Sequence, residues 1–186
     1  MNQTLCQNAV LLLIDLQQAI DHPSWGKRNN LNAEDNIATL LAHWRKNNMP
    51  IIHVKHMSTS TDSHYRPNQS GNDFKAEAMP IAGELIIEKQ SNSAFINTSL
   101  EKELHNRGIN EVIIIGVITN NSVEATARMS GNLGFDTIVV SDATFTFDLQ
   151  DFAGNWHSAD VVHNISLANL DGEYARITST DNVMGL

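Results

Sequence analysis

The 186-residue sequence contains a single cysteine, Cys6, and only four prolines. One thiol excludes an internal disulfide framework and any multi-cysteine metal site. Positive charge is also scarce: 12 Lys and Arg stand against 21 Asp and Glu, a formal net charge of −9 at pH 7. Such a chain repels phosphate backbones and anionic bilayers, so nucleic-acid and membrane partners are not expected. No apolar run approaches the roughly 20 residues needed to span a bilayer. Met1-Asn2-Gln3-Thr4 also lacks the basic-then-apolar opening of a signal peptide. Repeats, low-complexity tracts and linkers are missing too. What is present is a globular composition, 41% apolar and 18% charged. The expectation is one cytoplasmic domain over residues 1–186, long enough to bury its own core.

Short apolar runs alternate with amphipathic stretches. Ala9-Val10-Leu11-Leu12-Leu13-Ile14 is continuously apolar up to Asp15, as a strand buried on both faces would be. Ile37, Leu40, Leu41 and Trp44 then fall on one helical face. Further strands are predicted at Ile51-Ile52-His53-Val54, Leu85-Ile86-Ile87, Val112-Ile113-Ile114-Ile115, Thr137-Ile138-Val139-Val140 and Ala175-Arg176-Ile177-Thr178. Helices are predicted after Thr98, where Glu101 completes a capping box and Gly108 supplies the stop, from Ser122 to Leu133, and from Ser158 to Leu170. This alternation predicts an α/β fold of three layers, with a mostly parallel six-stranded, Rossmann-like sheet between helices. Met57 to Gly83 breaks the rhythm with a long polar stretch. A loop of that length is a lid or binding loop, or else a disordered surface excursion.

Open parallel sheets bind ligands outside the carboxyl ends of their strands. Those ends carry Asp15, His56 and Lys89, and after the fourth strand the segment Gly116-Val117-Ile118-Thr119-Asn120-Asn121-Ser122 runs into a helix. A hydroxyl on a first helical turn lies near backbone N–H groups that stabilise developing negative charge. Singly, Asp15 reads as a turn residue, Lys89 as a solvated cation and Ser122 as a helix cap. Their shared position at strand ends makes them a candidate carboxylate, ammonium and hydroxyl cluster. Trp25, Phe74, Phe95, Phe145 and Phe147 fall in the connecting segments, where they supply an aromatic wall for a small ring-bearing molecule or simply pack the loops down. His56 and His64 are candidate hydrogen-bonding groups for that molecule, or surface histidines.

Three segments carry a resemblance. Leu11-Leu12-Leu13-Ile14-Asp15-Leu16-Gln17, then Glu88-Lys89 with Ser93-Ala94-Phe95 and Thr98-Ser99-Leu100, then Gly116-Val117-x-Thr119-x-x-Ser122-Val123-x-x-Thr126-Ala127-Arg128 resemble, in order and spacing, the isochorismatase-like hydrolases. That family includes cysteine hydrolases and nicotinamidases, and the likeness covers nearly the whole chain. It implies a three-layer α/β/α fold, a homo-oligomer (dimer or tetramer) and a cis peptide near Val117-Ile118. It implies Asp15, Lys89 and the residue at position 122 as the catalytic group; beside them, the N–H groups of Ile118 and Ser122 are the candidate oxyanion site. Trp25, His56, Phe74 and Phe95 are the candidate substrate contacts.

This chain departs from the family at one telling place. The resemblance leads one to expect cysteine where Ser122 stands. A thiol titrates near ~8.5 and is readily activated, whereas a hydroxyl needs a stronger push. Cys6 precedes the first strand, at the wrong end of the sheet to substitute. Three readings follow: Ser122 as a slower nucleophile in C–N bond hydrolysis with Asp15 as base, Ser122 as bystander to acid-driven cleavage of an isochorismate-type vinyl ether, or a site that binds without catalysis. Weaker patterns add little. Ser122, Asp142 and His157 follow the chain order of a serine-hydrolase triad but lack the flanking glycines of a nucleophile elbow. Asp62-x-His64 superficially resembles the metal motif of nicotinamidases, too late after the second strand and without a further histidine nearby. His53 and His56 point to opposite faces of their strand. Neither a phosphate loop nor a dinucleotide fingerprint occurs, so no metal and no cofactor are expected.

Overall fold

The first apolar run forms β1 (Val10–Ile14), buried along its whole length. The structure, a computed structural model, describes residues 8–185. Met1–Thr4 and Cys6 therefore lie outside the described residues. After β1 come α1 (Ala33–Lys46), β2 (Ile51–His56), β3 (Leu85–Lys89), α2 (Leu100–Asn106) and β4 (Glu111–Val117). A single wide helical turn, Thr119–Val123, leads into α3 (Glu124–Asn132). The chain continues through β5 (Asp136–Phe145), β6 (Leu149–Gln150), β7 (Trp156–His157), α4 (Ala159–Leu170), β8 (Arg176–Thr178) and α5 (Thr180–Met184).

Six strands pair in the order β3-β2-β1-β4-β5-β8, every pair parallel. The period-two alternation of β1 shows why both faces need cover. Leu11 and Leu13 pack with Ile37, Leu40, Leu41 and Trp44 of α1. Val10, Leu12 and Ile14 pack with Leu100 and Leu104 of α2, Ala127 of α3 and Leu167 of α4. The result is the expected α/β fold, a parallel sheet with helices on each side. The buried indole of Trp44 donates to the Ala9 carbonyl at 3.0 Å, so the largest core side chain leaves no polar group unpaired.

Local chemistry departs from expectation in three places. The capping box before α2 does not form: the Thr98 hydroxyl donates to Ala94 O and accepts from Leu100 N at 3.2 Å, so it closes a local turn instead. The predicted helix at Ser122 begins at Glu124, because its first turn is the wide one. The antiparallel ribbon of β6 and β7 was not anticipated, since two-residue strands leave no periodicity to read. By contrast, the 57–83 stretch holds only two short 3-10 turns, Ser70–Asn72 and Ala76–Ala78, but is pinned down. Asn72 Nδ2 donates to the carbonyls of His56 and Tyr65, and Gln17 Nε2 to those of His56 and Asn72. The loop so held is a fixed wall over the carboxyl ends of β1 and β2.

Candidate active site

Gly116 decides how the end of β4 meets the end of β1. It pairs with Ile14 in register and has φ +116°, and a Cβ there would lie 2.2 Å from the Ile14 carbonyl oxygen. Only glycine permits this approach. Beyond it, the Val117–Ile118 peptide is cis, and the wide turn carries Ser122 back toward Asp15. Asp15 itself ends β1 with φ +52°, a left-handed conformation that Asp tolerates better than most side chains.

Lys89, at the end of β3, reaches across β2 to join these groups. Its fully buried ammonium donates to Asp15 Oδ2 at 2.7 Å, to Ser91 O at 3.0 Å and to Ser122 Oγ at 3.2 Å, and it lies 3.4 Å from His56 Nδ1. The three residues that sequence reasoning grouped are therefore in mutual contact through one cation. Asp15 Oδ1 is buried and has no hydrogen-bond partner. Burial raises the Asp15 pKa above its ordinary 3.8, opposed by the Lys89 charge and, less strongly, by the nearby Ser122 hydroxyl. Burial lowers that of His56 below 6.5, against the pull of the Asp15 charge, so the ring is neutral at pH 7.

A cavity of about 370 Å³ opens on this cluster, with Asp15, His56, Ile118 and Ser122 at its base and Trp25, His64 and Tyr65 on its walls. Of the proposed substrate contacts, Trp25 and His56 face it. Phe74 and Phe95 do not. Phe74 sits edge-on to His53 at 5.8 Å, under the Lys55 ammonium. Phe95 stacks on Phe135 at 5.9 Å in the core beneath α2 and α3. Their positions after strand ends predict both at the site; side-chain direction, which connecting segments do not encode, sends them away. Phe145 is buried under the Arg28 guanidinium, 3.5 Å from its ring.

Ser24, Ser63, Tyr65 and Asn92 are the lining residues that sequence reasoning missed. Tyr65 is buried, stands edge-on to His56 at 5.6 Å and donates to the Asp15 carbonyl at 3.4 Å. The signal available for Tyr65 was an aromatic in a polar loop, a signal shared with Phe74, which turns away. The hydroxyl, carboxylate and imidazole of the serine-triad order do not meet: Asp142 accepts from Thr180, and His157 pairs with Asp151 at 2.9 Å. Asp62 and His64 line the cavity, but His64 stacks on His22 at 3.5 Å. Among the described residues no three His, Cys, Asp or Glu side chains group as metal ligands.

Residues 9–181 match the isochorismatase domain family. The chain belongs to the isochorismatase family. It is 41% identical to the isochorismatase family protein YrdC of Bacillus subtilis over 178 residues, 96% of this chain and 95% of that one. A crystal structure of an isochorismatase-family protein from Chromobacterium violaceum superposes with a TM-score of 0.97 at 49% identity, covering 100% of this chain and 96% of the other. Nicotinamidase 3 of Arabidopsis thaliana is 29% identical over 188 residues, 94% of this chain and 86% of its own. Family membership makes the chain a hydrolase of the isochorismatase type. No helix among the described residues is long and apolar enough to cross a membrane.

Proposed function

We propose that this isochorismatase-family hydrolase cleaves a C–N bond of a small amide, with Asp15, Lys89 and Ser122 as its catalytic group. The observation that carries this reading is the buried Asp15–Lys89–Ser122 contact, with one carboxylate oxygen left unpartnered at the floor of a cavity. Lys89 donates to Ser122 Oγ, so the serine proton is free to pass to Asp15 as Oγ bonds to the substrate carbonyl carbon. The carbonyl π electrons move to oxygen, where the N–H groups of Ile118 and Ser122 are the candidate donors and the Lys89 ammonium adds a fixed charge. Collapse breaks the C–N bond, and the Asp15 proton goes to the leaving nitrogen. Water, deprotonated by Asp15, then bonds to the acyl carbon; the C–Oγ bond breaks, the acid leaves and the Asp15 proton returns to Ser122 Oγ. Trp25 and His56 are the substrate contacts in this reading, and the name of the Arabidopsis relative, a nicotinamidase, supports the amide class.

One observation favours a second reading. Burial holds the Asp15 pKa up, which suits an acid that protonates a vinyl ether while Ser122 stands by. A turnover screen of small amides, esters and isochorismate separates the two. Amide turnover that falls by roughly 10³-fold or more in Ser122→Ala supports the nucleophile. Isochorismate turnover that survives Ser122→Ala would replace it with the acid mechanism. Binding without turnover of any of them would leave a binding protein.

A further inference from the structure

A second hollow lies beside the first. It measures about 650 Å³ and shares Ser24, Trp25, Ile118 and Asn121 with the inner cavity. One wall is the Trp25 indole stacked on Phe147, with ring centroids 5.5 Å apart. The opposite wall is the ribbon of β6 and β7, which presents Leu149 and Trp156; the Trp156 side is solvent-facing, 71% exposed. The Asn120 side-chain oxygen already accepts from the Thr146 hydroxyl. Asp148 Oδ1 accepts from Ala159 N and Gln150 Nε2 donates to Gly154 O, Ser24 and Lys27 complete the polar lining, and the boundary between the two hollows is the apolar Ile118 with Asn121 next to it.

A ligand ring that covers Trp156 and Leu149 gains free energy by withdrawing their apolar surface from water. The occupant follows from the shared wall: whatever lies in the inner cavity against Asp15 and Ser122 can extend past Ile118 into the outer one. We infer that the outer hollow is a substrate subsite for an uncharged apolar ring, joined by a short linker to the group held at Asp15, Lys89 and Ser122. Trp25, Phe147, Leu149 and Trp156 form its aromatic and aliphatic faces, and Asn121 is the polar group at the junction. The natural substrate class is then a carboxamide carrying a ring-bearing substituent. This assignment rests on the proposed reaction centre, but its test does not require turnover.

The measurement is calorimetric binding of propanamide and 3-(2-naphthyl)propanamide to Ser122→Ala protein, which cannot use the serine. The naphthyl compound should bind at least roughly tenfold more tightly, as expected for a ring withdrawn from water. Adding Trp156→Ala should bring that ratio down to within about twofold, and Leu149→Ser should reduce it in the same direction. Phe152→Ala, at the fully exposed tip of the same ribbon, should leave the ratio in place. A ratio near one in the starting protein, or one that Trp156→Ala does not change, overturns the subsite. So does sedimentation showing that Trp156→Ala and Phe152→Ala both dissociate an oligomer, since the face would then be covered by a second copy. If wild-type protein hydrolyses neither amide while the Trp156-dependent preference persists, the amidase reading falls and the subsite stands.

Discussion

Asp15 concentrates several costs in one residue: a positive φ, a buried carboxylate and an oxygen without a partner. Such features persist only where the surroundings enforce them. Here Lys89 is the enforcing group, because its ammonium is the nearest counter-charge and is itself fully buried. Taking that cation away leaves a desolvated anion, so the Asp15 pKa must rise further above 3.8. A base that must be ionised works only above its pKa. The acid limb of the kcat/KM profile for amide turnover is therefore expected above 3.8 in the wild type and higher again in Lys89→Met. An unmoved limb in that variant would mean that Lys89 does not hold the anion. Asp15→Asn should lower kcat/KM by about 10²- to 10⁴-fold, the range of a lost general base.

At the scale of elements, the site depends on how β4 ends. The wide turn Thr119–Val123 is anchored from behind by α4: Thr119 Oγ1 bonds His163 Nδ1 at 2.9 Å, and the Ser166 hydroxyl reaches Thr119 O at 3.3 Å. From the front, Gly116 lets β4 run against β1 without a side chain between them. Gly116→Ala meets both a backbone atom 2.2 Å away and an unfavourable φ. The expected loss of stability is about 3 kcal/mol or more, combining overpacking with backbone strain. Denaturant unfolding of the variant measures it; a loss below about 1 kcal/mol would show that the strands can part there at little cost. Gly116 was visible in the sequence as the end of an apolar run. Its role was not, since the approach of Ile14 depends on register between strands about 100 residues apart.

For the whole molecule, acid should be the destabilising direction. Burial lowers His53, His56 and His163 below 6.5 in the folded protein. Unfolding lets all three take up protons at their ordinary pKa, so the stability they confer is complete above 6.5 and drains away as pH falls below it. Glu84 works in the same sense at lower pH. Against the cost of burial, Arg45, the Ile81 N–H and His53 bring it to about 2, so its contribution is lost as pH falls from 4.5 toward 2. Asp15 opposes both, because a raised carboxyl pKa favours the folded state in acid. The three histidines act in the same direction just below pH 6.5, and the melting temperature should be lower at pH 5.5 than at pH 7.5. An equal or higher value at pH 5.5 would contradict this. His53 is the deepest of the three, with Nδ1 unpartnered, so His53→Gln should flatten the slope most.

By itself the sequence determined the alternation of strands and helices, the layers they build and the strand ends that carry Asp15, His56, Lys89 and Ser122. These are local properties: hydrophobic period, chain order and the rule that parallel strands place their carboxyl ends together. Only the tertiary structure decided which neighbours of those ends face the cavity. Trp25 and Tyr65 do, while Phe74 and Phe95 turn into separate packing sites. The ribbon of β6 and β7 and the hollow beneath it belong to the same category. Side-chain direction in loops is set by contacts with distant segments, such as Gln17 with Asn72, and no period along the chain records those contacts.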